Sequence, residues 1–368
     1  MKYLLQVSTG SFSHTSVEAQ TVAEKLERCL DRIAVEKVIF GWSPDRAVNE
    51  SLVGLLEKRG IEKYIWLPVF SEIHRPETSD ALVDVTGQSG KAISHLCQGE
   101  SFDFVCPSSG RNRERAVHVF GQLAGNLPVE GVFIDRIRYA SAANGVRSLY
   151  GCWCPRCRKQ YEAAGVDVQR IRSLSAQADT APFMPEALEN GVYRYRDADV
   201  DKLMRVRRFI VSQSAAALCA HFQSLGKKVG VDTFAPGVAD FVGQDLIELG
   251  SHADFIKPMI YLRTQAPAGV PYELDALGEG IRRRICELWH GDVGQIDVAA
   301  RQARMLADNG VHAAVGIDAN RISGICDADA AYVTRYLDRL EEAGCEEVVL
   351  SWDAMRISDE VWAAVASR

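Results

Sequence analysis

An apolar run ends in a group of charged residues within the stretch Gly131-Val132-Phe133-Ile134-Asp135-Arg136-Ile137-Arg138-Tyr139. Continuous apolar runs are typical of strands in a parallel sheet that helices cover on both faces. Asp is disfavoured inside strands, so the placement of Asp135 at the end of the run needs an explanation. The stretch predicts a buried strand that brings a carboxylate to the carboxyl edge of a sheet.

Seven further runs of this kind alternate with long amphipathic segments along the chain. The eight predicted strands are Tyr3–Ser8, Lys37–Ser43, Lys63–Phe70, Gly131–Tyr139, Lys228–Phe234, Phe255–Tyr261, His312–Ala319 and Glu347–Asp353. The predicted helices include Val17–Ile33, Arg111–Leu127, Val200–Leu225, Val298–Asn309 and Ala330–Ala343. This alternation favours a (β/α)8 TIM barrel over an open doubly wound sheet. Thr9-Gly10-Ser11 after the first strand also lacks the G-x-G-x-x-G pattern of dinucleotide-binding sheets.

The 368 residues are predicted to form one barrel domain, 1–368. Two segments exceed what simple barrel loops need, namely 71–110 after the third strand and 140–198 after the fourth. The first contains two short β-like pieces, Ala81–Thr86 and Phe102–Cys106. Both insertions are expected on the C-terminal face, where barrel enzymes build their substrate clefts.

The composition excludes several classes of partner. The formal net charge is −7, which argues against binding to nucleic acid or to an anionic membrane surface. Apolar runs stay well short of the ~20 residues needed to cross a bilayer, and the first residues lack the pattern of a signal peptide. We therefore expect a cytoplasmic protein whose ten cysteines are free thiols or metal ligands. Homo-oligomerisation is left open.

Three cysteines lie within six positions in Gly151-Cys152-Trp153-Cys154-Pro155-Arg156-Cys157. Three thiolates on one tight turn can surround a soft cation, and tetrahedral zinc requires a fourth ligand. Cys106, near the end of the other insertion, is the natural candidate. A structural zinc on these four residues would join the two insertions, since four thiolates leave no position open for catalytic water. The alternative is a set of buried reduced cysteines.

The same residues resemble a known family. Val105-Cys106-Pro107-Ser108-Ser109, followed by Cys152-x-Cys154-Pro155-x-Cys157, is similar to the zinc-binding cysteines of glycoside hydrolase family forty-two, the bacterial β-galactosidases. That family carries an Asn-Glu catalytic acid/base pair at the end of its fourth strand. This chain has Asp135-Arg136-Ile137-Arg138-Tyr139 there. The resemblance therefore implies a zinc site but not β-galactosidase activity.

Two strand ends resemble a second group, the loosely characterised barrel families classed as glycoside hydrolases. Their fourth strand often ends in a similar Asp-x-x-Arg-Tyr, which matches Asp135, Arg138 and Tyr139. Asp254-Phe255-Ile256-Lys257-Pro258-Met259-Ile260-Tyr261 resembles their sixth-strand pattern D-F-I-x-P-M-x-Y. The order of the two motifs in one barrel implies a glycoside hydrolase.

Carboxylates at strand ends point to the same chemistry, because glycoside hydrolysis usually requires two carboxyl groups that flank the scissile bond. Asp135, Asp232 and Asp318 end the fourth, fifth and seventh predicted strands. We expect Asp135 to act as nucleophile or base, with Arg138 near enough to keep it ionised. Asp232 is the candidate acid, and Asp318 could hold sugar hydroxyls or replace Asp232. An ordinary helix cap is the alternative for each.

The remaining candidates are expected to bind the substrate. Trp42, Tyr139, Tyr261 and Trp352 end the second, fourth, sixth and eighth predicted strands. Flat apolar rings suit the C–H faces of a pyranose, although each ring taken alone is more typical of core. The substrate-binding set is completed by Arg138, Lys257 and Asp353, and helix capping is the stronger alternative for Asp353.

Two other functions remain open. Lys257 lies within the sixth strand, and a lysine desolvated inside a barrel can attack a carbonyl, as in Schiff-base aldolases or lyases. The chain also has no Glu at a predicted strand end, which leaves a barrel that binds carbohydrate without catalysis as the second alternative.

Overall fold

The computed structural model describes residues 1–10, 18–43, 45–71, 73, 80–89 and 103–368. Eight parallel strands close into a barrel, in which each strand pairs with its neighbours in chain order and the last pairs with the first. We number them β1 Lys2–Ser8, β2 Lys37–Gly41, β3 Glu62–Pro68, β4 Gly131–Asp135, β5 Lys228–Phe234, β6 Phe255–Met259, β7 Ala314–Asp318 and β8 Glu347–Ser351. The predicted (β/α)8 barrel is confirmed.

Helices surround the barrel on the outside. They are α1 Ala19–Leu30, α2 Arg46–Lys58, α3 Gly110–Ala124, α4 Pro155–Ala163, α5 Val168–Gln177, α6 Ala198–Ser224, α7 Pro236–Ala239, α8 Leu246–His252, α9 Val270–Leu277, α10 Glu279–Leu288, α11 Ile296–Asp308, α12 Ala330–Glu342 and α13 Asp359–Ala366. Among the described residues, no helix combines the length and the apolar character needed to span a membrane.

Alternation along the strands divides the apolar residues into two cores. A small cluster fills the barrel interior and consists of Leu4, Ile39, Tyr64, Trp66, Phe133, Phe255, Ala314 and Val349. The larger core lies between the strands and the helices. Gly230 makes the interior packing possible, because a Cβ there would lie 2.4 Å from Phe255 Cζ and 2.7 Å from Phe133 Cδ2. Side chains one layer above this cluster therefore point into the mouth of the barrel.

The segment after β3 is described in two pieces, 80–89 and 103–109. They are joined by an isolated antiparallel bridge between Ala81 and Val105. The predicted β-like pieces correspond to this bridge, although Phe102 lies outside the described residues. The pieces are too short to form strands.

The segment after β4 holds α4, α5 and a hairpin of Pro185–Glu189 and Val192–Tyr195. The hairpin is fixed to the barrel by Asp240, whose carboxylate accepts hydrogen bonds from the Tyr195 hydroxyl at 2.6 Å and from Arg208 at 2.6 Å. Each carboxylate oxygen has a partner, so this buried charge is compensated.

Candidate active site

A buried ion pair lies at the mouth of the barrel between β5 and β6. Asp232 and Lys257 are opposite each other in the parallel register, and 2% and 0% of their surfaces are exposed. Lys257 Nζ donates to Asp232 Oδ2 at 3.1 Å and to Gln6 Oε1 on β1 at 2.8 Å. The lysine therefore crosses the barrel and joins three strands.

Gly316 on β7 provides the space for this lysine. A Cβ at this position would lie 2.5 Å from Lys257 Cε and 3.2 Å from Lys257 Cγ. Carbon atoms in contact are normally about 3.5–4.0 Å apart, so only glycine fits beside the extended lysine.

Burial dominates the electrostatics of the pair. It raises the pKa of Asp232 to about 7, with Lys257 acting in the opposite direction and the charge of Asp135 adding to the rise. Burial likewise lowers the pKa of Lys257, against the effect of Asp232. A carboxyl group with a pKa near neutrality can both donate and accept a proton at physiological pH, which is what acid/base catalysis requires.

Asp135 ends β4 beside this pair. Ile134 and Val231 are the last residues paired between β4 and β5, and Asp135 and Asp232 follow them directly. Asp135 Oδ2 accepts a hydrogen bond from Trp66 Nε1 at 3.0 Å, and its Oδ1 accepts one from the backbone N–H of Arg136. These two N–H donors fix the orientation of the carboxylate. The two carboxylates therefore occupy neighbouring positions at the same edge.

Arg138 is held between two aromatic rings. Its guanidinium carbon lies 4.4 Å from the ring centre of Phe234 at the end of β5 and 4.8 Å from that of Phe104. Burial lowers the pKa of Arg138 to about 10, while the charges of Glu273, Asp135 and Asp232 oppose the shift, with Glu273 contributing most. The side chain is 96% buried by surface area and remains a cation at neutral pH.

Asp318 ends β7, but its oxygens are already engaged. Oδ2 accepts from the backbone N–H of Arg263 at 2.6 Å and from the Thr264 hydroxyl at 3.0 Å. Oδ1 accepts from the Tyr332 hydroxyl at 2.6 Å. This pattern connects the loop after β6 to α12, as expected of a structural carboxylate. Burial raises the pKa of Asp318 as it does that of Asp232, but these hydrogen bonds support a structural role more than the predicted one as an alternative acid.

Asp353 also fits the capping alternative. Its side chain accepts a hydrogen bond from the backbone N–H of Met355 at 3.2 Å, at the start of the short 3-10 helix Ala354–Arg356. The carboxylate is buried and faces Arg356 at 3.5 Å. The hydrogen bonds of Asp353 therefore give no support to the predicted contact with the substrate.

Three of the four aromatic side chains predicted to bind the sugar lie around the mouth of the barrel. They are Trp42, Tyr261 and Trp352. The ring centre of Tyr261 lies 5.3 Å from Lys257 Nζ and 6.2 Å from the ring centre of Trp352. Trp42 contacts Trp66, with ring centres 5.5 Å apart. Tyr261 therefore lies beside the ion pair, and Trp42 lies beside Trp66, which donates to Asp135.

Tyr139 does not belong to this rim. It is fully buried, and its ring lies 4.6 Å from the guanidinium carbon of Arg207 on α6. Burial raises the pKa of Tyr139, with Cys157 adding to the rise, so the residue lies between α6 and the cysteines. Its ring offers no surface to a sugar, contrary to the expectation from sequence. The reason is local: Arg136 has φ 54°, and this left-handed residue interrupts the alternation of side chains after Asp135.

Sequence reasoning missed Gln6, Trp66 and Gly316. Gln6 had a detectable signal, because it is a polar residue in the apolar run Leu4–Val7 and shares the inward face with Leu4. Trp66 and Gly316 had none, since their roles depend on which side chain lies across the barrel.

The four predicted metal ligands lie together. The sulfur atoms of Cys106, Cys152, Cys154 and Cys157 are buried and all within 4.8 Å of one another; we call this group the cysteine cluster. Cys106 Sγ lies 3.4 Å from that of Cys157 and 3.6 Å from that of Cys154. Tetrahedral zinc with bonds of ~2.3 Å places its sulfurs about 3.8 Å apart, so the spacing fits a soft metal ion.

Thiol chemistry in the cluster also suits a metal. Hydrogen bonds among the four thiols lower the pKa of Cys106 and Cys154 and raise that of Cys152 and Cys157, so two of the four sulfurs are favoured as thiolates. A thiolate is the form that binds a metal. The cluster connects the two long segments, because Cys152 Sγ accepts from Val83 N at 3.4 Å and Trp153 N donates to Val83 O at 2.8 Å.

A cavity of about 670 Å³ lies elsewhere, between α11, α12 and the loop after β6. Its walls include Arg263, Tyr332, Arg335 and Arg339 but none of the residues around the ion pair. We place the candidate site at the barrel mouth, because buried carboxylates and a lysine converge there, whereas the charged residues that line the cavity are three exposed arginines and the two aspartates Asp297 and Asp327.

Comparison with known proteins gives structural neighbours only. No protein family matches the chain, and no curated protein does, so the resemblance to family forty-two stands on its four cysteines alone. The glycoside hydrolase domain of PgaB (BpsB) from Bordetella bronchiseptica matches with TM-score 0.63 and 14% identity, over 100% of this chain and 98% of that one. The α-L-fucosidase isoenzyme 2 from Paenibacillus thiaminolyticus matches with TM-score 0.61 and 10% identity, over 99% of this chain and 48% of that one. At these identities the likeness establishes the barrel fold, and the structures that share it are glycoside hydrolases.

Proposed function

We propose that the protein is a glycoside hydrolase that uses Asp135 and Asp232. The observation that carries the proposal is the buried Asp232, whose pKa of about 7 suits a general acid, beside a second carboxylate at the C-terminal edge of the barrel. Glycoside hydrolysis requires one carboxyl group that donates a proton and a second that acts as nucleophile or base. The likeness to glycoside hydrolase structures supports the same conclusion.

In the proposed reaction, Asp232 protonates the glycosidic oxygen as the bond to the anomeric carbon breaks. The carboxylate left on Asp232 is stabilised by Lys257, which already donates to it. Asp135, held by two N–H donors, acts as nucleophile on the anomeric carbon or as base toward a water molecule. Asp318 is assigned a structural role because its hydrogen bonds are satisfied within the protein.

Leaving-group dependence separates the two roles. An aryl glycoside with an acidic phenol leaves without protonation, so Asp232→Asn should reduce turnover of 2,4-dinitrophenyl glycosides far less than that of phenyl glycosides. Asp135→Asn should reduce turnover of both by ~10³-fold or more, or over ~4 kcal/mol of transition-state stabilisation. Asp359→Asn is the matched control, because that side chain is 88% exposed.

Two outcomes would overturn the assignment. If Asp135→Asn lowers turnover tenfold or less, Asp135 has only a positioning or capping role. If wild-type protein binds sugars but turns over none of a panel of aryl glycosides, the barrel is a carbohydrate-binding protein without catalysis.

The Schiff-base alternative has one observation in its favour, the lowered pKa of Lys257. Its amine, however, donates to both Asp232 and Gln6, and these contacts stabilise the charged form. A nucleophilic lysine must lose this proton before it attacks a carbonyl. We therefore assign Lys257 to the support of Asp232.

We also propose that the cysteine cluster binds one zinc ion with a structural role. Four cysteine ligands complete a tetrahedral site. The metal would hold together the segments after β3 and β4, which contribute Phe104 and Arg138 to the wall of the mouth.

A further inference from the structure

The hydroxyl group of Ser108 contacts two sulfur atoms of the cysteine cluster. Its Oγ lies 3.0 Å from Cys106 Sγ and 3.3 Å from Cys157 Sγ. Cys106 belongs to the segment after β3, whereas Cys157 lies on α4 in the segment after β4. One hydroxyl group therefore bridges the sulfurs of both long segments.

The turn that carries Ser108 is held on two sides by helices outside the cluster. Ser214 on α6 donates from its hydroxyl to the carbonyl oxygen of Pro107 at 2.6 Å. Asn112 on α3 donates from Nδ2 to the carbonyl oxygen of Cys106 at 2.9 Å. Both of these side chains are buried. The backbone on the N-terminal side of Ser108 is therefore fixed, and its hydroxyl needs little rearrangement when a metal binds.

A metal centre in this cluster needs such donors. Four thiolates more than neutralise a divalent metal ion, so the loaded centre is an anion. The four sulfurs are buried, and a buried anion is costly unless hydrogen-bond donors surround it. The backbone N–H of Val83 serves Cys152 Sγ at 3.4 Å. Ser108 is in place to serve Cys106 and Cys157 in the same way.

The direction of the Ser108 contact differs between the metal-free and the metal-bound protein. Without metal, a thiol S–H can donate to Ser108 Oγ, so the hydroxyl group is not required as a donor. Metal binding removes the thiol protons, and the hydroxyl group must then donate to the sulfurs. A hydrogen bond to a charged acceptor is roughly twice as strong as one between neutral groups. The contact should therefore stabilise the metal-bound form more than the metal-free form.

We propose that Ser108 is a positioning residue of the metal centre, which strengthens metal binding by donating a hydrogen bond to the thiolates of Cys106 and Cys157. The inference rests on the proposed zinc ion and is independent of glycoside hydrolysis. The alternative role for Ser108 is that of a turn residue, which would stabilise the metal-free and metal-bound forms equally.

The first test measures the affinity of the full chain for Zn²⁺ by competition with a chelator. Ser108→Ala should weaken binding by about 10-fold or more, as is typical when a group that hydrogen-bonds to a metal ligand is removed. Ser108→Thr keeps the hydroxyl group and should retain most of the affinity. Ser323→Ala, which removes an exposed serine hydroxyl after β7, is the matched control and should bind zinc as the wild type does.

Melting temperatures separate the two roles of Ser108. Ser108 is partly exposed, so the alanine variant should fold. Ser108→Ala should lower the melting temperature of the zinc-loaded protein clearly and that of the metal-free protein little. Co²⁺ gives an independent signal: the sulfur-to-cobalt charge-transfer band should move to longer wavelength in Ser108→Ala, because loss of a hydrogen bond raises the energy of the sulfur electrons.

The outcomes separate this inference from the proposed hydrolysis. Unchanged zinc affinity in Ser108→Ala, or an equal loss of melting temperature with and without zinc, would overturn the role of Ser108. Wild-type protein that takes up neither Zn²⁺ nor Co²⁺ would refute the metal centre and this inference together. The expected metal effects in a chain that hydrolyses no glycoside would support the inference and count against hydrolysis alone.

Discussion

Replacing Gly316 by alanine is expected to disturb the ion pair without touching either of its members. The new Cβ would lie 2.5 Å from Lys257 Cε, and the lysine is fully buried, so it must leave Asp232 or strain the barrel. Overpacking costs typically ~1–3 kcal/mol and breaking a buried ion pair ~3–5 kcal/mol. We therefore expect Gly316→Ala to lower the free energy of unfolding by about 2–4 kcal/mol.

A double-mutant cycle identifies the cause. Lys257→Ala removes the Cε and Cγ atoms that the new methyl group meets at 2.5 and 3.2 Å, and Pro258 O at 3.2 Å stays in place. In that background Gly316→Ala should cost less than about 1 kcal/mol, because the main clash is gone. Urea denaturation of the four proteins gives the coupling free energy, and Gly54→Ala on α2, with no atom within 4 Å, is the matched control. A coupling below about 0.5 kcal/mol would refute the packing of lysine against this glycine.

Three further predictions concern metal, covalent chemistry and pH. Elemental analysis should find about one zinc per chain, and Cys154→Ser should lower the melting temperature more than it changes substrate preference; metal-free protein of unchanged stability would contradict this. Borohydride reduction with carbonyl substrates should leave the mass of Lys257 unchanged, whereas a stable adduct would favour the Schiff-base function. Hydrogen bonds from His312 and Lys37 lower the pKa of Glu347 to about 2, from 4.5. The resulting stabilisation is present above about pH 4.5 and lost as the pH falls toward 2. Glu347→Gln should therefore lower the free energy of unfolding by about 1–2 kcal/mol at pH 6, allowing for solvent screening, and by almost nothing at pH 2. An equal loss at both pH values, measured by urea denaturation, would count against the pairing.

The strands were predictable because buried parallel strands carry their signal in consecutive residues. Each of the eight apolar runs became a barrel strand, and their ends shifted by only a few residues. His312 and Ala313 precede β7, and Ile260 and Tyr261 follow β6, because apolar character continues beyond the hydrogen-bonded ladder. The cysteine cluster was predictable for a different reason, since three of its members lie on one turn.

The direction of individual side chains was less predictable. Asp135 and Asp318 both end a strand, yet one lies beside the ion pair and the other is used by Arg263, Thr264 and Tyr332. These donors come from distant parts of the chain, so no local pattern distinguishes the two carboxylates. Tyr139 shows the second difficulty, because β4 ends at Asp135 and the left-handed Arg136 follows it, so the alternation of inward and outward side chains stops before Tyr139.

The ion pair at the barrel mouth is difficult to explain by stability alone. Well-packed apolar residues usually stabilise a protein as much as a buried ion pair, because desolvation offsets the attraction between the charges. Asp232 Oδ1 and Gln6 Nε2 are buried and make no hydrogen bond of ordinary length to a described residue, although the Gln6 side chain also acts on Asp232 as a hydrogen-bond donor that lowers its pKa. A network selected only for folding would pair both atoms, since each unsatisfied group costs about 1–3 kcal/mol. One acceptor and one donor left beside Lys257, at the edge where barrels bind their substrates, are instead what a polyhydroxylated ligand needs. The same reasoning predicts that sugar binding protects this layer of the barrel most strongly from hydrogen exchange.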